Sequence, residues 1–399
     1  MNRRKKVKYR HILRILIEKS HSFSHFLGKT TKRILFGVNI FFIILLYISI
    51  LSWYVPPYKN IIPAYLGLGF IVLFVVCIAF LLLWIAILKK RPAFWNLLAL
   101  VICYNPISTY FPIHFAVKTL PDDCIKIMTY NVKGFNWDRD ESARDKPIFE
   151  YMANCNADII CMQEFVINNH QYNNNGIISI REIDKILKDF PYRSILRFGN
   201  AEGEYSFGIA CYSKFPIQKT EEIPINSELS GGAVHDIKVN DFTIKLFNVH
   251  FESNKLTSED KQLYWDFIGA QNSESFDKVS QNIHGKLGKA YIQRSLQAEL
   301  VSEWINNQHK SPYTIVCGDF NDTPMSYVYK TVKGENLEDS FAESGMGQGI
   351  TYNEQMFWFR IDYIMHSKNM KSYNSAVKKV KYSDHYPLMT YIQIEPQED

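Results

Sequence analysis

The chain opens with long apolar runs and changes, after residue 120, to short apolar strands between polar loops. Ile34–Val55 is a run of 22 residues without a charge, and a second uncharged run, Ile61–Leu88, follows the break Pro56-Pro57-Tyr58-Lys59-Asn60. Both exceed the roughly 20 residues a helix needs to cross a bilayer core, where every backbone group must be satisfied internally. A third uncharged stretch, Ala93–Phe115, contains Asn96, Asn105, Pro106 and Pro112, and proline costs helix continuity. The pattern predicts about three transmembrane helices, near 34–55, 61–88 and 93–115, in a membrane region 34–118 behind a basic tail, 1–33.

From Cys124 onward, 125–132, 158–165, 207–213, 242–251, 313–320 and 360–367 read as strands. Helices are predicted over 142–155, 178–189 and 281–306; in the last, Ile292, Leu296, Leu300, Trp304 and Ile305 recur near helical spacing. Segments 168–176, 226–232 and 343–350 are rich in Asn, Ser or Gly and read as loops. Strands interspersed with few helices predict an α+β layered domain over 119–399.

Charge sharpens this division. The 399 residues carry a formal net charge of +5, but residues 1–120 hold 16 of the 45 basic side chains and one of the 40 acidic ones, Glu18. The amino-terminal part is therefore +15 and the remainder −10, so the mild overall basicity is no sign of a polyanion-binding surface. The tail holds 11 bases, including Arg3-Arg4-Lys5-Lys6, and the turn Lys89-Lys90-Arg91 is basic as well. Both are expected in the cytoplasm, which places a domain behind three spans on the outer, periplasmic side of an inner membrane. A cleaved signal peptide does not fit, because the basic tail is long and the first apolar run exceeds an h-region. Ile12, Leu13, Leu16 and Ile17, set among bases, suit an interfacial helix or simply a solvated topology signal. Cys124, Cys155, Cys161, Cys211 and Cys317 read as small core residues, with no disulfide or metal-site spacing.

Polar residues at strand ends carry the chemistry. The predicted strands end in or contain Asn131, Glu164, His250, Asp319 with Asn321, and Asp362, and a late run gives Ser383-Asp384-His385. Each alone has an ordinary reading: a core histidine for His250, a surface acid for Glu164, an ion pair with Arg360 for Asp362. Together they are the way a rigid scaffold builds a site. Glu164 is a hard oxygen ligand suited to Mg²⁺, or Mn²⁺ in its place, and Asp319 and Asn321, two apart, project to one side of a strand.

The ordered motifs MTYNVKGFN (128–136), ADIICMQE (157–164), FGIACYSKFPI (207–217), NVHF (248–251), GDFND (318–322), RIDYIM (360–365) and SDHYP (383–387) resemble the endonuclease/exonuclease/phosphatase superfamily, of deoxyribonuclease I-like type. The resemblance implies a four-layer α/β-β/α sandwich and a phosphohydrolase that uses Mg²⁺ to cleave a phosphodiester or phosphomonoester; with the apolar runs ahead of it, the chain reads as a membrane-anchored bacterial member. The resemblance further implies that Glu164 binds metal with Asn131 beside it. Asp319 orients or deprotonates the attacking water, and Asn321 donates to the phosphate oxygens. His385 is general base or cationic donor, held in one tautomer by Asp362. His250 approaches from the opposite side, and Asp384 takes a second metal or braces its loop.

The substrate is less specified. GDFND-Thr-Pro (318–324) lacks the GDFN-Val-Ala continuation expected of abasic-site endonucleases, and a −10 domain approaches duplex DNA only through local basic clusters. Lys286 with Lys289, and Lys378, Lys379 and Lys381, are candidates, though a solvated face explains them as well. A bilayer anchor favours a lipid or small phosphate ester, while a periplasmic nuclease acting on DNA or RNA, or a catalytically silent binding module, stays open. A monomer is expected.

Overall fold

The computed structural model describes residues 25–136, 146–168, 178–198, 205–225, 227–255, 273–354 and 357–394, with Ile15, Ile17, Glu18, Lys19 and Ser22 of the tail. The interfacial helix considered around Ile12 falls largely outside these residues. The chain divides into two compact units: the first comprises the chain up to Ser52 with Ile62–Ile107, the second Trp53–Ile61 with Ser108–Asp399. The second unit thus begins before the boundary at 118 drawn from sequence, and it takes in the segment joining the first two apolar runs.

The first unit is helical: α1 (Lys29–Ile50), α2 (Ile62–Leu68), α3 (Phe70–Ala86) and α4 (Lys90–Ile102). The helix that includes α1, Lys29–Trp53, is long and apolar enough to cross a membrane. The second predicted span is a pair, α2 and α3, bent by 67° at Gly69. The third is divided into α4 and α5 (Tyr104–Tyr110), a helix that runs across the unit boundary after Ile107, with Pro106 in its first turn. Among the described residues one helix is long and apolar enough to span, or up to two spans if the bent pair counts as one, so the expected number of about three is not shown. Polar groups lie inside this unit. Asn39 Oδ1 accepts from Trp84 Nε1 at 2.7 Å and from Asn96 Nδ2 at 3.0 Å, and all three side chains are buried. Apolar side chains such as Ile34, Phe41, Val72, Leu82 and Val101 are exposed.

In the second unit the described strands form two six-stranded sheets and a short hairpin of β10 (Tyr352–Glu354) and β11 (Phe357–Phe359). The first sheet contains β1 (Ile125–Asn131), β2 (Ile159–Asn168), β3 (Tyr192–Arg197), β4 (Tyr205–Ser213), β13 (Met370–Val377) and β14 (Leu388–Ile394), in the order β13-β14-β1-β2-β4-β3. The second contains β5 (Ile217–Ile223), β6 (Gly231–Val239), β7 (Phe242–His250), β8 (Thr314–Asp319), β9 (Leu337–Asp339) and β12 (Asp362–Ser367), in the order β5-β6-β7-β8-β12-β9. β1 runs parallel to β2, and β7 to β8; the remaining described pairs are antiparallel.

Strand alternation produces the layers. Along β1, Ile127 faces the opposite sheet while Met128 and Tyr130 face outward. Between the sheets, Ile127, Ile159 and Cys161 meet Leu246, Ile315 and Ile364. Outside the first sheet pack Ile148, Phe149 and Met152 of α6 (Lys146–Asn154) and Ile183 of α7 (Ile180–Ile186). Outside the second pack Ala298 and Val301 of α8 (Ser273–Glu303), and Val328 and Val332 of α9 (Tyr327–Lys333). Each large apolar side chain buried here contributes roughly 1.5–3 kcal/mol. This is the mixed α/β sandwich of two sheets that the resemblance implies.

Sequence and structure part at specific places. Gly231 and Gly232 open β6 although 226–232 reads as a loop: a Cβ at Gly231 would fall 2.1 Å from the Phe198 ring, so the glycine admits close packing within a strand. Within 343–350, Glu343 and Ser344 end the short helix α10 (Ser340–Ser344), and 345–350 is loop. Residues 169–176 lie outside the described set. β3, β5, β9 and β13 form the sheet edges, where polar residues dilute the apolar signal, as in MKSYNSAV of β13.

Candidate active site

The site forms where the carboxyl ends of the two parallel pairs meet. Asn131 ends β1 opposite Gln163 of β2, His250 ends β7 opposite Asp319 of β8, and Asp362 begins β12 opposite the same Asp319. Gly318 permits this close approach. Its φ is +142°, and a Cβ there would lie 1.9 Å from the Val249 carbonyl oxygen. β2 breaks register against β4 between Met162 and Phe165, and Glu164, at φ +50°, is re-aimed by that bulge.

Asp319 is the hub. Its Oδ2 accepts from Asn131 Nδ2 at 2.9 Å and Asn321 Nδ2 at 3.3 Å. It also lies 3.7 Å from His385 Nε2 and 3.9 Å from His250 Nε2. Its Oδ1 accepts from the Asn321 backbone N–H at 2.7 Å. The Asp319 side chain is 1% exposed, whereas Glu164 is 31% exposed and open to solvent or ligand. Glu164 Oε1 accepts from Asn131 Nδ2 at 3.0 Å and stands 3.7 Å from His250 Nε2.

The two imidazoles are oriented differently. His250 Nδ1 lies 3.0 Å from the Leu229 carbonyl, which can only accept, so Nδ1 carries the proton and Nε2 faces the carboxylates. His385 Nδ1 lies 2.8 Å from Asp362 Oδ2, and its ring meets Tyr352 edge-on at 5.1 Å. Burial alone would lower the His385 pKa, but the carboxylates of Asp362 and Asp319 outweigh it and raise the imidazole above its ordinary value. Burial, with Asp362 nearby, raises Asp319 above the usual carboxylate range, against the opposing pull of His385 and His250. Asp362 keeps Oδ1 buried with no hydrogen-bond partner among the described residues.

The eight residues singled out from sequence thus divide. Asn131, Glu164, His250, Asp319, Asn321, Asp362 and His385 form one connected cluster. Asp384 turns away: its carboxylate pairs with Lys133 Nζ, which also stands 3.6 Å from Glu354. Ser383 Oγ donates to the Asn131 carbonyl at 2.9 Å, which fastens this loop to β1.

Three supporting residues escape a reading by strand ends. Gln163 Nε2 donates to Asn248 Oδ1 at 2.7 Å, joining the sheets directly behind Glu164 and His250. Buried Arg294 of α8 donates to the Glu252 carbonyl and Asn254, with its Nε 3.5 Å from Asp322. Lys133 begins a turn, 133–136, whose four residues all have positive φ. Gln163, Asn248 and Lys133 lie inside the recognised motifs, but Arg294 has no signal beyond its place on a helix. Of the basic candidates, Lys286 and Lys289 line a cleft of about 450 Å³ that also holds Glu228 and Glu252, while Lys378, Lys379 and Lys381 are exposed. Arg360 does not pair with Asp362; buried, it donates to Asp339 and to the Thr109 carbonyl.

The donor set suits a hard divalent cation. Glu164 offers an open carboxylate beside the Asn131 amide, with a buried carboxylate cluster of Asp319 and Asp362 next to it, and no thiolate intervenes. The tight group Asp319, Asp362 and His385 is instead an internally hydrogen-bonded acid–imidazole pair with a second acid.

Comparison with known proteins gives the following. The Endonuclease/Exonuclease/phosphatase family profile matches residues 128–385, and a domain family of unknown function, DUF8431, matches residues 32–110. No curated protein matches. Solved structures with a similar fold include an endonuclease/exonuclease/phosphatase family protein from Bacteroides thetaiotaomicron, at 15% identity, 68% of this chain, 98% of that chain and a TM-score of 0.47. A humanized D. rerio TDP2 has 16% identity over 68% of this chain and 100% of that one, with a TM-score of 0.46. The human Nocturnin catalytic domain has 16% identity over 70% and 96%, with a TM-score of 0.47.

Proposed function

Because the chain belongs to the endonuclease/exonuclease/phosphatase family and is a metal-dependent phosphoric ester hydrolase, we propose that it is a membrane-anchored, Mg²⁺-dependent enzyme cleaving a phosphodiester or phosphomonoester bond. The observation that carries this reading is the convergence of Asn131, Asn321, His250 and His385 on one buried oxygen, Asp319 Oδ2, beside the open Glu164.

Glu164, oriented by the Asn131 amide that donates to it, would hold the cation, which when bound supplies charge neutralisation and polarises the phosphoryl oxygens. The remaining work falls to the protein. Asp319, its basicity raised by burial, accepts a proton from the attacking water. His385, kept cationic by Asp362, donates from Nε2 to the phosphate and is therefore poorly placed to act as the base. Asn321 Nδ2 supplies a further donor as charge grows on phosphorus-bound oxygens, and His250 Nε2, 3.5 Å from it, adds another only when the ring carries both protons. Water oxygen bonds to phosphorus as the ester P–O bond breaks, and the leaving oxygen is released opposite.

An inside-out helical unit supports the anchor: Asn39, Trp84 and Asn96 are bonded internally while large apolar side chains face outward. The basic tail and the turn Lys89–Arg91 favour the cytoplasmic side. Trp53–Ile61, between the first two apolar runs, groups with the catalytic unit, and together with the charge pattern this supports a reading in which that loop and the enzyme both lie outside the cytoplasm. Tethering favours a lipid or small phosphate ester over duplex DNA, which the −10 charge of residues 121–399 repels.

The test is hydrolysis of bis-p-nitrophenyl phosphate by the purified full chain, followed by a panel of plasmid DNA, RNA, phospholipid and inositol phosphates. Turnover abolished by EDTA and restored by Mg²⁺ is expected. Hydrolysis indifferent to chelation would contradict the metal reading, and turnover of duplex DNA above all other substrates would favour the nuclease alternative.

A further inference from the structure

The turn that follows β8 carries a residue in the left-handed region. Asn321 sits at φ +51°, a conformation costing a non-glycine residue free energy unless its surroundings enforce it. The surroundings do so at several points. The Phe320 N–H donates to the Ile361 carbonyl at 2.9 Å, and Tyr363 Oη donates to the Asp322 carbonyl at 2.9 Å. The next carbonyl so held, that of Pro324, accepts from Trp53 Nε1 at 2.7 Å.

That last donor comes from far away in sequence. Trp53 begins the segment Trp53–Ile61, which joins the first two apolar runs and is part of the catalytic unit. The segment is shaped for this place. Pro56 and Pro57 are buried, and the Lys59 and Asn60 N–H groups both donate to the Pro56 carbonyl, closing a turn. Its far end is fixed as well: Tyr58 Oη donates to Glu299 Oε1 at 3.0 Å, and the same oxygen accepts from Tyr327 Oη at 2.7 Å. Tyr327 opens α9, directly after the catalytic turn. The segment therefore grips that turn's exit through Pro324 and, through Glu299, the helix it leads into.

We propose that Trp53–Ile61 is a positioning strap for the active site: the Trp53 indole holds the Pro324 carbonyl and keeps Asn321 and Asp319 aimed at the reacting phosphate. The proposal rests on the phosphohydrolase reading above for its catalytic consequence. The amino-terminal part is then a component of the enzyme as well as an anchor. Trp53 touches no reacting atom and acts through Pro324.

The test uses the full chain in detergent or nanodiscs. Trp53→Phe keeps an aromatic ring and removes the indole N–H. It is expected to lower kcat on bis-p-nitrophenyl phosphate on the order of threefold to tenfold while KM stays within about twofold. Amide exchange in peptides covering 319–326 is expected to quicken, with the strands of both sheets unchanged. Tyr58→Phe, which frees the strap's other end, is expected to act in the same direction with a smaller effect. Unchanged kcat and unchanged exchange at 319–326 in Trp53→Phe would overturn the strap. So would a loss of activity matched by faster exchange throughout the sheets, which marks a general structural role. If the wild-type chain hydrolyses nothing, the phosphohydrolase reading fails by itself, and the local exchange at 319–326 still decides whether the strap positions the turn.

Discussion

The side-chain amide of Asn131 bridges two acids, donating to Glu164 Oε1 at 3.0 Å and to Asp319 Oδ2 at 2.9 Å. It holds an open carboxylate and a buried one at a fixed separation without adding charge. Asn131→Asp would place a third carboxylate between them. A loss of kcat of at least about 10²-fold is expected, with Asn131→Ala milder, on the order of tenfold, because it removes the bridge without adding repulsion. Steady-state kinetics of the two variants checks the order; equal losses would mean that charge is not what the amide controls.

Asp362 is expected to act entirely through His385. Asp362→Asn removes the carboxylate that keeps the imidazole charged and presents an amide able to support the wrong tautomer. The expected outcome is a fall in kcat on the order of 10²-fold or more, with thermal stability close to wild type. Retention of more than half the activity would separate the pair from catalysis.

Gly318 is a steric requirement. Gly318→Ala sets a methyl group 1.9 Å from the Val249 carbonyl oxygen at a φ of +142°. A destabilisation on the order of 3 kcal/mol or more is expected, read as a fall in Tm or in urea midpoint. A variant of unchanged stability would mean that β7 and β8 can separate at the point where they deliver His250 and Asp319.

How much of this was legible beforehand follows from range. The seven clustered residues were legible because each ends or begins an apolar strand inside a recognisable motif. Asp384, in the same kind of motif, is expected to take a second metal or to brace its loop; its carboxylate meets Lys133, and nothing in the spacing of SDHYP distinguishes the two roles. Arg294 and Trp53 were illegible for one physical reason. Their partners, Asp322 and Pro324, lie far along the chain, and neither a helical arginine nor an aromatic residue at the end of an apolar run announces a long-range hydrogen bond. β13 was missed because its pattern is mostly polar, and β6 because two glycines disguise its start.

Stability should fall in mild acid through His235. Burial lowers its pKa from 6.5 to about 4, only partly opposed by Asp236, and its Nδ1 lies 3.0 Å from Thr220 Oγ1. Because the folded pKa lies below the unfolded one, the unfolded chain binds the extra proton. The stabilisation is complete above pH 6.5 and is lost progressively as pH falls toward 4. The loss is on the order of 3 kcal/mol over that window. Urea titrations at several pH values should show the slope, and His235→Gln should flatten it; a slope equal in both would assign the acid sensitivity to other groups.

The central claim is that the cluster around Asp319 performs phosphoryl-ester hydrolysis, and the turnover of purified full-length Asp319→Asn tests it most directly. Asparagine keeps the shape and removes the base. The account predicts a kcat at least about 10²-fold below wild type, with the circular dichroism spectrum and thermal midpoint preserved. Turnover near that of the wild type in a folded Asp319→Asn protein would contradict it.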